Sequence, residues 1–336
     1  MEKNQNMLVV SLARLDSIVI ETLERKTGLK CTELYRYTVP TRVSALKRHI
    51  DCLVLAYRVV TLRRKYKAIV YWQQFIGLYF NLWCTILFIR RFPQSIILTV
   101  IYMKRYGNVG KIFHSFFKLA FNSKYIDKLV CHASNERIYY LDEFGHNLAN
   151  KVVFCKLGEG LNHKDCISEP EEKYFFSGGS SNRDYTTLIK AFEGLDQKLI
   201  IACKPENIVV HDIPANVSVL YDAYGVAFSN LIQNAYAVIV PIQNPNISSG
   251  QLVLLNAMRF GKCLIVTAGN CMCDYINEDY AISVQAKSVD ELREAVTFMA
   301  DNQDQYRQMS FNAYNDYKGQ YSVDKYAERI ADLVRN

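Results

Sequence analysis

The sequence predicts an α/β protein of two doubly wound, parallel-sheet domains. A chain of 336 residues is too long for one ordinary core and fits two domains of typical size. Hydrophobic residues make up 50% and charged residues 22%, which excludes a disordered chain. Short apolar runs alternate with helix-length amphipathic segments, and this alternation is typical of a parallel sheet covered by helices on both faces.

The alternation is clearest in the C-terminal half. Strand-like runs there are YFFSGG, KLIIACK, VSVLYDA, YAVIVPI, CLIVTAG and YAISVQA, and the helix-like runs between them include DYTTLIKAFEGL and SGQLVLLNAMRFG. Asp184, Ser249 and Ser288 are predicted helix N-caps, and Glu291 completes a capping box with Ser288. Gly261 is expected to end the helix that begins at Ser249.

The N-terminal half repeats the alternation less cleanly. NMLVVSLA, LKCTELYRYTV, KAIVYWQQF, QSIILTVIYM, IDKLVCHAS and KVVFCKLG are predicted strands, with a basic helix over about 42–66. We expect an acceptor-binding domain over 1–157, a linker over 158–173 where apolar residues are scarce, and a donor-binding domain over 174–318. A C-terminal helix over 319–336 is expected to pack back on the first domain.

One uncharged run, Ala68–Ile89, has the length of a membrane span and is flanked by Arg63-Arg64-Lys65 and Arg90-Arg91. Gln73, Gln74 and Asn81 interrupt it, and its first part resembles a strand. A strand followed by a buried helix therefore explains the run better than a transmembrane helix.

The charge is divided unevenly between the two halves. Residues 1–160 contain 25 Lys and Arg against 11 Asp and Glu, a surplus of 14, whereas the remainder contains 15 against 22. A surplus of this size predicts that the first half faces an anionic membrane surface or nucleic acid, with an ordinary solvated surface as the alternative.

The ten cysteines favour a reducing compartment. Most lie inside apolar strand-like runs, where cysteine acts as a small buried hydrophobe, and the start MEKNQNMLVV lacks the features of a secretory signal. Cys271 and Cys273 form an isolated CxC, which indicates structural thiols more than a metal or redox site. We expect a cytoplasmic protein without a metal.

Two loops carry the candidate chemistry. In FFSGGSSNRDYTTLIKAF, a strand ends at Gly178-Gly179 and a helix begins after Arg183, so the backbone and the guanidinium could bind a pyrophosphate. An ordinary strand–turn–helix with a surface arginine is the alternative. In PIQNPNISSGQLVLLNAM, a second strand end leads into another helix, whose first N–H groups would point at a ligand; these belong to Ser249, Gly250, Gln251 and Leu252.

These segments together resemble the family 4 glycosyltransferases. The similarity covers SGGSSNRDYTTLIKAF, AVIVPI and SSGQLVLLNAMRFGKCLIVT in order and spacing over 171–300, and extends to IDKLVCHASNERIYYLDEFG and KVVFCKLGEG. It implies the GT-B fold, in which two Rossmann-like domains face a central cleft. It also implies a nucleoside diphosphate sugar as donor, usually with retention at the anomeric carbon and without a metal.

The resemblance also implies residue roles. Arg183 takes the place of the basic residue that contacts the donor diphosphate, and Gly179 that of the backbone approaching it. The family's two glutamates, eight positions apart, are replaced by Ser248 and Asn256, and a second basic residue by Ser180. Asn256 can still bind a ribose hydroxyl, but Ser248 supplies no carboxylate beside the sugar, so the retaining mechanism stays open.

Candidates for acceptor binding lie in the first half. Trp72, Gln73 and Gln74 follow a strand and offer a ring and amides to a sugar, although core packing of Trp72 explains it equally well. The segment TVIYMKRYGNVGKIFHSFFKLAF, read as a helix, places Lys104 and Arg105 on a basic face beside an aromatic one, which suits a lipid-diphosphate acceptor at a membrane. His114 and His132 are candidate acids or bases, with a structural role as the alternative.

The sequence thus predicts a glycosyltransferase for a glycan or lipid-linked acceptor in surface polysaccharide biosynthesis, peripheral on the inner face of the membrane. A nucleotide-sugar-binding protein without transferase activity, or a nucleotide-sugar epimerase, remains the alternative because of Ser248 and Asn256. Nucleic acid is not expected as a partner, since no helix-turn-helix, zinc or RRM signature is present.

Overall fold

The computed structural model describes residues 6–38, 43–90, 92–160, 166–167, 173–270 and 272–334. The chain forms two compact units, one of Met1–Cys155 with Tyr326–Asn336 and one of Lys156–Lys325. Each unit contains one six-stranded sheet in which every described strand pair is parallel. The predicted α/β class with two doubly wound sheets is therefore confirmed.

Some sequence predictions concern residues outside the described ranges. They include Cys271, the first five residues of the segment MEKNQNMLVV, and 161–165 and 168–172 of the predicted linker. The linker bounds stay a prediction.

The first unit has the strand order β2-β1-β3-β4-β5-β6. Its strands are β1 Asn6–Ala13, β2 Lys30–Tyr37, β3 Ala68–Tyr71, β4 Gln94–Ile97, β5 Lys128–Cys131 and β6 Val152–Phe154, and its helices are α1 Ser17–Thr27, α2 Ala45–Leu62, α3 Gln74–Ile86, α4 Gly107–Phe121 and α5 Ser134–Phe144. Because parallel crossovers are right-handed, the reversal of direction after β2 places α1 on one face of the sheet and α2–α5 on the other.

The second unit has the strand order β12-β11-β10-β7-β8-β9. Its strands are β7 Tyr174–Gly178, β8 Lys198–Ala202, β9 Val217–Leu220, β10 Ala237–Val240, β11 Cys263–Thr267 and β12 Ala281–Val284, and its helices are α6 Tyr185–Phe192, α7 Val226–Asn234, α8 Gln251–Arg259, α9 Val289–Asp301 and α10 Gln303–Asp316. The chain runs outward from β7 and returns to β10 on its other side. The loops after these two strands therefore flank the switch point, where such sheets bind ligands.

The last helix, α11 Val323–Ala331, begins in the second unit and ends in the first. Tyr326 and Ile330 are buried there, and Glu328 forms ion pairs with Arg25 and Lys26 at 3.5 and 3.4 Å. The end of the chain is therefore part of the first unit's core.

The uncharged run Ala68–Ile89 is a strand followed by a largely buried helix, as predicted. It forms β3 and α3. Among the residues that the structure describes, no helix combines the length and apolarity needed to cross a bilayer.

The predicted helix caps are partly correct. Asp184 and Ser288 accept hydrogen bonds from the N–H groups of Thr187 and Glu291, at 3.1 and 3.3 Å. The Glu291 carboxylate, however, accepts from the Gln285 N–H instead of returning to Ser288, so the capping box is only half formed. Gly261 follows α8 with φ +63°, the left-handed conformation of a helix-ending glycine, as predicted.

The predicted N-cap at Ser249 is wrong. Gly250 occupies that position with φ +95°, and α8 begins one residue later. A Cβ on Gly250 would lie 2.7 Å from Val240 Cγ1, so the chain passes the end of β10 too closely for a side chain. This close approach, which the sequence pattern does not reveal, fixes the start of α8.

Candidate functional site

The loop after β7 is built on a glycine that no other residue could replace without strain. Gly179 has φ +105°, and a Cβ there would lie 2.8 Å from Nη2 of Arg183. The Tyr185 hydroxyl donates a 2.5 Å hydrogen bond to the Gly179 carbonyl. The Gly179 N–H donates to the Ala202 carbonyl at 3.0 Å, so both polar groups of this peptide unit are held by the protein.

Arg183 binds this loop and does not extend freely from it. Its Nε donates to the Gly178 carbonyl at 3.0 Å and its Nη1 to the Ser181 carbonyl at 2.7 Å. Burial lowers the pKa of the guanidinium, which nevertheless stays charged at neutral pH. Among the described residues no carboxylate forms an ion pair with Arg183. A partly buried cation without an ion-pair partner among the described residues, directly before the N-cap of α6, is suited to bind an anion.

Asn182, which sequence reasoning missed, joins the loops after β7 and β10. Its Oδ1 accepts from the Asn244 N–H at 2.9 Å, and its Nδ2 donates to the Asn244 carbonyl at 2.9 Å and to Ser249 Oγ at 3.0 Å. Its φ of +54° is a conformation that asparagine tolerates better than most residues. The structure therefore brings both candidate loops together at the switch point of the sheet.

The start of α8 completes this arrangement. Gln251 Nε2 donates a 2.5 Å hydrogen bond to Ser248 Oγ, which fixes the loop immediately before the helix. The first N–H groups of an α-helix have no intrahelical acceptor, so those of Gln251 and Leu252 remain available to a ligand. The Leu252 side chain itself is exposed.

Two polar side chains further along α8 have buried atoms without a partner. Asn256 Oδ1 makes no hydrogen bond in the structure. Arg259, which sequence reasoning did not single out, is 1% exposed, yet only its Nη2 has a hydrogen bond, to Ser229 Oγ at 3.1 Å; Nε and Nη1 have none. Burial raises the pKa of Glu159, and the charge of Arg259 opposes that shift, so the two groups are electrostatically linked.

The candidate acceptor residues at the end of β3 are engaged in structural contacts. Gln73 Oε1 accepts from the Leu12 N–H and Gln74 Oε1 from the Ile101 N–H, both at 2.9 Å. The Trp72 ring packs edge-on against Tyr326 of α11, with 5.7 Å between centroids. The amide oxygens thus tie neighbouring loops together, and the acceptor role of the three residues stays a prediction.

Lys104 and Arg105 do not lie on a helix, because α4 begins only at Gly107. Lys104 Nζ binds the Glu143 carboxylate at 3.1 Å, and the Arg105 guanidinium lies 4.3 Å from the centroid of Phe113. Glu143 is nine residues past the start of α5, about 14 Å along the helix from the carboxyl edge of the sheet. Because Lys104 and Arg105 precede α4, the continuous basic helix face predicted for this segment is incorrect.

The two candidate histidines have different surroundings. His114 Nδ1 lies 3.1 Å from the Tyr102 hydroxyl and 3.3 Å from Glu143 Oε1, and its ring stacks on Phe144. His132 follows β5 and is 7% exposed; burial lowers its pKa to about 4. At neutral pH it is an uncharged ring that donates from Nδ1 to the Cys155 carbonyl at 2.8 Å.

The acceptor atom of His132, Nε2, faces Thr99 Oγ1 at 3.2 Å and the Tyr326 hydroxyl at 3.5 Å. Thr99 has φ +53°, which is rare for a β-branched residue and costs free energy wherever it occurs. The loop after β4 is therefore held in a strained conformation beside a neutral histidine.

Comparison with known proteins identifies the second unit. Residues 166–316 match the family model of the group 1 glycosyl transferases. This part of the chain is a glycosyl transferase domain. The prediction of a glycosyltransferase is confirmed at this level.

Solved structures show the GT-B fold over nearly the whole chain. A sucrose-phosphate synthase from Thermosynechococcus elongatus is 12% identical, with a TM-score of 0.70 and 98% of each chain covered. The Anabaena protein HepE in complex with UDP-glucose is 12% identical, with a TM-score of 0.68 and coverage of 97% of this chain and 98% of that one. WaaG, a glycosyltransferase involved in lipopolysaccharide biosynthesis, is 13% identical, with a TM-score of 0.63 and coverage of 98% and 100%. A search of curated proteins found no match.

Within the described ranges, no three His, Cys, Asp or Glu side chains are grouped to hold an ion.

Proposed function

We propose that this glycosyltransferase transfers a sugar from a nucleoside diphosphate sugar, bound by the second unit, to a glycan or lipid-linked glycan in surface polysaccharide biosynthesis. The observation that carries the proposal is the junction of two loops at the β7/β10 switch point, where Arg183 has no carboxylate partner among the described residues. The arrangement offers positive charge and backbone N–H groups to a diphosphate.

The proposed chemistry is stabilisation of the leaving group. When the bond between the anomeric carbon and the diphosphate breaks, negative charge grows on the departing phosphate oxygen. The Arg183 guanidinium and the N-termini of α6 and α8 are already oriented, so they stabilise this charge more in the transition state than in the ground state. Ser248 and Asn256 contribute no carboxylate, and we therefore assign them to binding.

Asn256 is assigned to the nucleoside. Its Oδ1 is a buried acceptor without a partner in the structure, and a hydroxyl of the ribose is a donor that would satisfy it. HepE binds UDP and UDP-glucose in its crystal structures, so uridine nucleotides are the first to test here.

We further propose that the acceptor is presented by an anionic membrane and that the protein is peripheral on its inner face. The surplus of 14 positive charges in residues 1–160 supports this partner. None of the cysteines in the described residues forms a disulfide, as suits a reducing compartment.

A thermal-shift screen tests the donor site directly. A ligand that binds only the folded state raises the melting temperature. We expect UDP, GDP or one of their sugars to raise the melting temperature, and nucleoside monophosphates to raise it less. No shift with any nucleoside diphosphate or its sugars would contradict the proposal.

A nucleotide-sugar-binding protein without transferase activity is the second candidate, favoured by the absence of a carboxylate at Ser248. Release of nucleoside diphosphate from the sugar that gives the largest shift, measured with membrane extract as acceptor, separates the two. Transfer predicts release that depends on the acceptor, whereas a binding protein predicts none.

A further inference from the structure

Helix α2 has an apolar face that the first unit does not use. Leu46 is 73% exposed, and Ile50, Val54 and Tyr57 are about half exposed. The spacing of four, four and three residues places them along one side of the helix. The opposite side is already buried in the core, so this second apolar stripe is not explained by folding of the unit.

The stripe continues onto the end of α3. The Tyr57 ring meets Trp83 with 5.2 Å between centroids, and Trp83 Nε1 donates to the Leu53 carbonyl at 3.2 Å. Ile86, one turn beyond Trp83 on the same side of α3, is more than half exposed.

Phe88 lies just beyond, 85% exposed and with φ +48°. A phenyl ring placed in water by a strained turn does not stabilise the unit. We therefore expect the Phe88 side chain to contact something outside the unit.

Helix α4 extends the same surface. Tyr79 of α3 meets Phe116 of α4 with 6.2 Å between ring centroids, so the two helices are neighbours. Val109 and Ile112 of α4 are 71% and 72% exposed. The exposed sides of α2, α3 and α4, with the turn at Phe88, are called the α2–α4 face below. Its exposed apolar side chains are grouped, whereas the exposed apolar residues that are normal on a protein surface are scattered singly.

The charge of this face has a single sign. The sole acidic residue in α2, α3 and α4 is Asp51, which is 3% exposed and is bound by Arg36 and Tyr37. Exposed basic side chains are interleaved with the apolar ones, at Lys47, Arg58, Lys111 and Lys118. Apolar side chains surrounded by lysine and arginine match an anionic leaflet, whose headgroups meet the cations while the side chains reach the acyl boundary.

We propose that the α2–α4 face docks on an anionic lipid surface and inserts Leu46, Ile50, Val54 and Phe88 at the boundary between headgroups and acyl chains. The inference rests on the proposed membrane partner and specifies how the protein binds it. It differs from purely electrostatic binding in one measurable respect. A basic segment alone would be released by salt, whereas inserted apolar side chains keep the protein bound when charges are screened.

Vesicle co-sedimentation of the full chain tests the mode of binding. With vesicles of phosphatidylglycerol and phosphatidylcholine in equal parts, we expect a substantial fraction to stay bound in molar salt. The variant Leu46→Ser/Ile50→Ser/Val54→Ser/Phe88→Ser should lower that salt-resistant fraction about tenfold. A control variant, Val209→Ser/Phe311→Ser, alters exposed apolar residues of the second unit and should bind as the wild type does.

Fluorescence supplies a second, local readout. The chain has two tryptophans, Trp72 and Trp83, so Trp72→Phe leaves Trp83 on the proposed face as the sole reporter. Its emission should shift to shorter wavelength with the anionic vesicles and stay unchanged with them in the quadruple serine variant.

Three results would overturn the inference: complete release of the wild type by molar salt, normal binding by the quadruple variant, or a wild-type dimer that this variant converts to a monomer. The last would mean that the face joins two copies of the chain. Nucleotide binding by the quadruple variant is measured in parallel. If the quadruple variant still binds nucleotide but no longer binds vesicles, the donor site is independent of the docking surface. If the wild type binds vesicles but no nucleotide, the proposed donor site is wrong and the docking surface is not.

Discussion

Asn182 and Asn244 hold one another through a reciprocal pair of 2.9 Å hydrogen bonds, although 62 residues separate them in the chain. The pair joins the loop that carries Arg183 to the loop that leads into α8. Neither loop is part of a strand, so their relative position depends on a few such bonds.

Replacing Asn182 by glycine isolates the contribution of these bonds, because glycine accepts the positive φ without strain. Each lost hydrogen bond contributes about 1 kcal/mol, so we expect Asn182→Gly to weaken UDP or GDP binding roughly fivefold or more in calorimetry. Lys287→Gly, at an exposed residue that also has a positive φ, is the control and should leave the affinity unchanged. Equal affinities for wild type and Asn182→Gly would show that the loops are held by other contacts.

Arg183→Ala should affect both binding and stability. The guanidinium binds two loop carbonyls, so its loss should lower the melting temperature by a few degrees and weaken nucleoside diphosphate binding more than nucleoside binding. Arg183→Lys keeps the positive charge but lacks the planar guanidinium with its several N–H donors, so it should recover part of the affinity. Arg307→Ala, an exposed arginine of α10, serves as control. An unchanged affinity for diphosphate in Arg183→Ala would exclude this loop as the diphosphate site.

Asn256→Ala should weaken nucleotide binding without a cost in stability. Its Oδ1 is buried and unsatisfied, and removing such an acceptor relieves a desolvation cost, so the melting temperature should stay equal or rise. Free nucleotide and nucleotide sugar should lose affinity alike, with no selective loss of turnover number. Asn230→Ala, on the exposed side of α7, is the control. Normal binding with lost turnover would place Asn256 at the reacting sugar instead.

His132 predicts a specific loss of stability in acid. Its pKa falls from 6.5 when unfolded to about 4 when folded, so between these values the unfolded chain binds a proton at this residue and the folded chain does not. The resulting contribution to stability is complete above about pH 6.5 and is lost as the pH falls towards 4, by about 3 kcal/mol in all.

Asparagine at position 132 retains a donor for the Cys155 carbonyl but does not titrate. In urea unfolding at pH 7 and pH 4.5, the free energy of unfolding of His132→Asn should fall less than that of the wild type. His211→Asn, an exposed histidine of the second unit, should behave as the wild type does. Parallel losses in wild type and His132→Asn would mean that His132 is not buried as a neutral ring.

The strands of both units follow from their sequences because a strand buried on both faces leaves a continuous apolar run. AVIV of β10 and CLIVT of β11 are wholly buried and are recognisable for that reason. The site is less predictable. The pair of Asn182 and Asn244 exists because β10 lies beside β7, and that order is set by the whole sheet.

Arg259 shows what local pattern can and cannot reveal. A basic residue in the last turn of a helix ordinarily complements the helix dipole from the surface. Arg259 instead lies four residues after the buried Leu255 and so on the buried side of α8. This spacing was the signal in the sequence that could have indicated its burial. The absence of hydrogen bonds to Nε and Nη1 could not be foreseen, since the surroundings of this side chain come from distant parts of the chain, among them Ser229.

The return of α11 to the first unit sets an order on folding during synthesis. A ribosome completes every strand of the first sheet and then the entire second unit before Tyr326 and Ile330 exist. Until then the surface that these residues cover, including the Trp72 ring, is open to water. The second unit, which is continuous in sequence, can therefore reach its final state first, and the N-terminal half matures last, the reverse of the usual vectorial order.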